Sequence, residues 1–111
     1  MSDPGQDTSA GTTGAACLTS AGLFIAERRL PRTSERQLAV LQTALTTAAS
    51  RFSARGDGVR LLGSIFLVNQ ERLLSLFTAE SLDTVRAVNE ASLIPFASIE
   101  PAVELPGSSQ P

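Results

Sequence analysis

Two apolar runs constrain this chain more than anything else in it: Val59–Val68 (VRLLGSIFLV) and Arg72–Ala79 (RLLSLFTA), separated only by Asn69-Gln70-Glu71. Each is short for a helix, the first contains a glycine, and the residues between them are polar. The pair therefore predicts a β-hairpin. A sheet covered on one side alternates apolar with polar residues. These strands do not. Strict alternation puts Leu62, Ser64, Phe66 and Val68 on one face of the first and Leu61, Gly63, Ile65 and Leu67 on the other. On the second, Leu73, Ser75, Phe77 and Ala79 stand against Leu74, Leu76 and Thr78. Both faces of such a hairpin need cover.

The flanking sequence supplies cover for one. Leu23-Phe24-Ile25-Ala26 runs through Glu27-Arg28-Arg29-Leu30 to a stop at Pro31, which reads as a strand. Ser34 can cap a helix, with Gln37 placed for a capping box and Glu35 at the positive end. Leu38, Leu41, Leu45, Ala48 and Phe52 follow on one helical face, and Gly56 is placed to end it. After the hairpin, Ser81 is the next cap, and Leu82, Val85 and Val88 mark a second amphipathic helix that Leu93-Ile94-Pro95-Phe96 breaks. Ser98–Leu105 reads as a last strand, which Pro101 restricts to an edge. The order is βαββαβ, the ferredoxin-like α+β sandwich: a four-stranded antiparallel sheet with two helices on one face. The second face then calls for another copy of the chain, packed sheet to sheet. A cavity for a ligand can lie between the sheets or between sheet and helices.

Residues 1–21 are rich in Ser, Thr, Gly, Ala, Asp and Gln and read as a flexible tail; residues 106–111 (PGSSQP) read likewise, leaving a domain over 22–105. Composition then removes whole classes of chemistry. All nine basic residues are arginine, and there is no histidine, tyrosine or tryptophan. Ser-His-Asp triads, Cys-His pairs and imidazole metal sites are excluded, and the single Cys17 forms no intrachain disulfide. A net charge of −2 argues against nucleic acid. No apolar stretch is long enough to span a membrane, and no signal peptide is evident. The cytoplasm, where a lone thiol stays reduced, is the expected compartment.

Polar residues set into apolar strands are the remaining candidates. Arg28 and Arg60 sit on or at the start of strands, and a buried arginine needs an anionic partner: Glu27, a carboxylate of another subunit, or an anionic ligand. Ser64 and Ser75 face apolar neighbours, as small residues bonded to backbone rather than nucleophiles. Phe24, Arg28, Arg60, Ser64, Phe66, Ser75 and Phe77 form the expected ligand-contacting set. No catalytic residue, metal ligand or cofactor is expected.

The run LFIAERRLP, the leucine-spaced helix, VRLLGSIFLVNQERLLSLFTAES and VRAVNEASLIPFASI resemble a group of small bacterial domains of unknown function described as nickel-binding-protein-like. The similarity covers Leu23 to Leu105 and is carried by Glu27-Arg28 with Pro31, Val59-Arg60, Ser64 with Phe66, Arg72, Leu76-Phe77 with Ala79, and Pro95. It implies a ferredoxin-like domain that dimerises as an α+β barrel, and a metal role for some members. Nickel favours imidazole, and this chain has no histidine, so the metal is not carried over. The expected function is a non-enzymatic homodimeric module binding a small apolar ligand or a protein partner. The alternative is a cofactor-independent α+β barrel oxygenase or isomerase acting on a hydrophobic substrate, for which Arg28, Asn89 and Glu27 are the available polar heads.

Overall fold

The computed structural model describes residues 22–107; the expectations for residues 1–21, Cys17 included, and for 108–111 lie outside them. The longest element is helix α1 (Glu35–Ala54), and its start is fixed by side chains. The Gln37 N–H donates to the Ser34 hydroxyl at 3.1 Å, and the Ser34 N–H donates to the Gln37 side chain at 3.0 Å. This reciprocal box satisfies two donors the helix cannot satisfy itself. Leu41, Leu45, Ala48 and Ala49 form the buried stripe. The chain leaves the helix through Gly56, whose φ of 92° is a conformation glycine adopts without steric cost.

Four strands make one antiparallel sheet: β1 (Gly22–Arg29), β2 (Arg60–Leu67), β3 (Arg72–Ala79) and β4 (Ser98–Ala102), in the order β2-β3-β1-β4. Helix α2 (Leu82–Ala91), capped by Ser81, links β3 to β4. Both helices cover one sheet face, and the fold is ferredoxin-like. Alternation along β1 and β3 directs Phe24, Ala26, Leu73, Phe77 and Ala79 into the layer beneath the helices, where they join Leu45, Val59, Val85 and Val88 in one core.

Two expectations about the strands need correction. The faces of β2 do not follow strict alternation, because Leu61 pairs with Phe77 and Gly63 with Leu76, leaving Leu62 as an extra residue in a β-bulge. The bulge shifts the phase by one. Leu61 therefore shares the helix side with Ser64 and Phe66, while Leu62 is half exposed and Gly63, Ile65 and Leu67 lie on the other side. The last strand also ends at Ala102, three residues earlier than its pattern suggests. Beyond it Val103 and Leu105 are exposed.

No described helix is long and apolar enough to cross a membrane.

Candidate functional site

The face away from the helices is the first candidate. Register places Leu23 and Ile25 of β1, Leu74 and Leu76 of β3, and Ile65 and Leu67 of β2 side by side on it. Nothing within the described residues covers this face, and Ile65 is 55% exposed. Set into it is an ion pair. Arg72 donates from Nε to Glu27 Oε2 at 2.6 Å and from Nη2 to Glu27 Oε1 at 2.9 Å, a side-on fork that spends one edge of the guanidinium on both carboxylate oxygens. Its Nη1 reaches Gln70. The hydrogen bonds from Arg72 hold the Glu27 carboxyl below its ordinary 4.5, against the opposing effect of burial. The same bonds push the Arg72 guanidinium up. Beside the pair is a cleft of about 270 Å³ with apolar walls from Ile25, Leu74 and Pro101 and polar groups from Ser98 and Glu100.

On the helix side the expected partnership of Arg28 with Glu27 does not form. Neighbours in a strand point to opposite faces, so Glu27 goes to the open side with Arg72 and Arg28 goes into the covered layer. Arg28 is fully buried. Its Nη2 donates to the Ile94 carbonyl at 3.2 Å, and its guanidinium carbon lies 5.8 Å from the centre of the Phe96 ring, within cation–π range. Nε and Nη1 have no partner. Burial lowers its pKa to about 10, so it stays charged at neutral pH. Asn89 is also fully buried on α2, with its amide nitrogen on the Val85 carbonyl and its oxygen without a donor.

Where α1 passes over β2 there is a small polar cluster. Ser64 donates to Gln42 Oε1 at 2.7 Å and shares a 2.9 Å hydrogen bond with the buried Ser75, its cross-strand neighbour. Ser64 and Gln42, with Leu38, Phe66 and Leu73, line a cleft of about 340 Å³. A second cleft of about 480 Å³, farther along the same seam, is bordered by Arg60 and Leu61.

The structure thus divides the seven expected contact residues. Ser64, Phe66 and Ser75 come together near Gln42. Phe24 and Phe77 are paired across β1 and β3 inside the core. Arg28 sits apart under the segment joining α2 to β4. Arg60 is exposed at the start of β2, paired with Thr78 on the open side. Two groups that sequence reasoning passed over stand out. Gln42 gave no signal beyond being a polar residue within the Leu38–Leu45 stripe. Arg72 gave none either, because it reaches Glu27 only through the register of β1 on β3, where it pairs with Arg29, two residues from Glu27 on the same face. Among the described residues no three His, Cys, Asp or Glu side chains converge as a metal site would require.

No family model matches this chain, and no curated protein matches it in sequence. Among solved structures it is similar to SCO4226 from Streptomyces coelicolor A3(2), known from a crystal structure analysis. The identity is 17% and the TM-score 0.60, over 78% of this chain and 99% of that one. At that identity the likeness shows the ferredoxin-like fold alone.

Proposed function

We propose that the chain is a non-enzymatic homodimeric module whose two open sheet faces pack together and enclose a small, largely apolar ligand. The observation that carries this reading is the uncovered apolar sheet face with a neutralised ion pair embedded in it. Burying a leucine-sized side chain contributes about 1.5–3 kcal/mol. Ile25, Ile65, Leu67, Leu74 and Leu76 of each copy thus supply a sufficient drive.

The second copy is the occupant that the charges on this face favour. A two-fold axis running between the sheets along the strands lays β2 of one copy over β4 of the other. Arg60 at one edge then lies level with Ala102 at the opposite edge, two residues along the same face from Glu100, so opposite charges come near each other twice. In that arrangement the cleft beside Glu27 and Arg72 becomes an internal cavity, apolar on Ile25, Leu74 and Pro101 and polar at Ser98 and Glu100. Binding rather than catalysis is supported by the state of Glu27: a carboxylate forked by arginine and held below its ordinary pKa is a poor general base. Kinship with the nickel-binding-protein-like domains belongs to this reading for the fold and the dimer. It stops short of the metal, since the chain has no histidine. A reducing, cytoplasmic setting belongs to it too, on the single cysteine.

Native mass spectrometry of protein purified from its host tests the proposal. The expected result is twice the chain mass with a small retained ligand, and conversion to monomer in Leu76→Asp. A monomer at micromolar concentration, or a stoichiometric complex with a different protein, overturns it.

A further inference from the structure

Arg28 has no counter-ion among the described residues, and its surroundings narrow what can serve as one. The side chain is wholly shielded from water, yet only one of its three nitrogens is hydrogen-bonded, and that one to a backbone carbonyl. A guanidinium is always a cation near neutral pH, and a desolvated cation is costly unless it is paired and its protons are satisfied. The carboxylate of the neighbouring Glu27 is committed to Arg72 on the other face.

Both contacts that Arg28 does make come from one stretch of chain, residues 92–97, which joins α2 to β4. Ile94 offers the carbonyl and Phe96 the ring. This stretch is irregular. Leu93 has a φ of 63°, a left-handed conformation unusual for a leucine, and is 88% exposed. Its tie to the sheet is the hydrogen bond from the Ala97 N–H to the Glu27 carbonyl at 2.7 Å. Ile94 and Phe96, which contact the guanidinium, lie outside every strand and helix. Asn89 lies in the last turn of α2, at the same end of the layer, and contributes an unpartnered acceptor oxygen. A phosphate dianion exceeds the charge of one guanidinium. A single carboxylate balances the single guanidinium charge.

We propose that Arg28 is the anchor of an internal site for a small carboxylate with an apolar tail, entered beneath residues 92–97. The carboxylate takes the donors at Nε and Nη1, and the tail packs against the apolar layer between β1 and α2. The site is separate from the open face on which the dimer is proposed, so either can fail without the other.

The test uses the full chain at pH 7, with hexanoate as the carboxylate, hexanamide as its neutral isostere and inorganic phosphate as the competing oxyanion. Calorimetry measures affinity, and NMR follows the Arg28 Nε–Hε resonance and the amides of Ile94, Phe96 and Ala97. The expected result is saturable hexanoate binding that moves these four resonances, at least tenfold weaker binding of hexanamide and phosphate, and at least tenfold weaker hexanoate binding in Arg28→Gln. Should Arg28→Gln fail to fold, the resonances of the unmodified chain decide alone. Three outcomes overturn the proposal: an Arg28 resonance indifferent to hexanoate and in contact only with bound water, hexanamide or phosphate binding as tightly as hexanoate, or hexanoate binding unchanged by Arg28→Gln.

Discussion

Three arginines meet at one end of this sheet: Arg29 is exposed, and the other two, one on each face, are treated in opposite ways. On the open face, Arg72 is partly exposed and has both a carboxylate in a side-on fork and the Gln70 side chain. On the covered face, Arg28 is fully buried and has one carbonyl and the face of one ring. Desolvation alone predicts the reverse, because a partner matters more where water is absent. The difference teaches something about each face. A charge already neutralised by a fork can be taken out of water at lower cost than a free one, which lowers the cost of the cover we propose for the open face. The covered face carries polarity beyond what packing requires, and such polarity is expected where a site is kept at the expense of stability.

The comparison can be broken most forcefully with apolar residues. Phe77→Ala should cost about 3–5 kcal/mol in urea unfolding, because the ring leaves a cavity in the core. Leu76→Ala, one residue away on the open face, should cost the isolated subunit far less and should instead weaken association. Equal losses of subunit stability would mean that the two faces are not different in kind. A smaller effect, of opposite sign on the two faces, is expected from the arginines. Arg28→Met should raise the urea midpoint, by about 1 kcal/mol in stability, by replacing an unpaired buried charge with an apolar chain of similar length. Arg72→Met should lower it by stranding Glu27.

Titration sharpens the contrast with the smallest effects. Glu27 has a depressed folded pKa, so it contributes stability that is full above its unfolded value near 4.5 and is lost as pH falls through the folded value. Arg72→Met should flatten that acid limb. Burial lowers the folded pKa of Arg28 to about 10, below its unfolded value, so the unfolded state binds the extra proton between the two and stability should rise with pH above about 10. The chain has no lysine, tyrosine or histidine. Calorimetric scans above pH 10 therefore follow the proton that burial removes from Arg28, and a slope that falls there would contradict its burial as a cation.

Much of the architecture was legible in the residues. Ser34 and Gln37 announced the start of α1, and the Leu41, Leu45, Ala48 spacing its buried side. The polar Asn69-Gln70-Glu71 marked the hairpin turn between two runs of strand-forming residues. Those are local signals, written in adjacent positions. What was not legible depended on single-residue counting or on distant pairing. The bulge adds one residue, Leu62, and so reverses the faces assigned to Leu61 and Leu62; Gly63 was its only trace, as glycine inside a strand often marks a bulge. The end of β4 at Ala102 depends on where β1 begins to offer partners, which Val103 and Leu105 do not record. Glu27 and Arg72 are 45 positions apart, joined by the register of β1 on β3. Period-two geometry alone, however, excludes a same-face Glu27–Arg28 pair.

The bulge at Leu62 has a further consequence at the rim of the sheet. β2 and β4 are its two edges, where unpaired backbone groups invite another chain to add on and the addition to repeat without end. One edge is twisted out of register by an extra residue, and the other is short and carries Pro101, which has no N–H to offer. Lateral growth is blocked on both sides of the molecule. In the dimer we propose, self-association would use the broad face instead, where one copy covers one copy and the assembly closes at two.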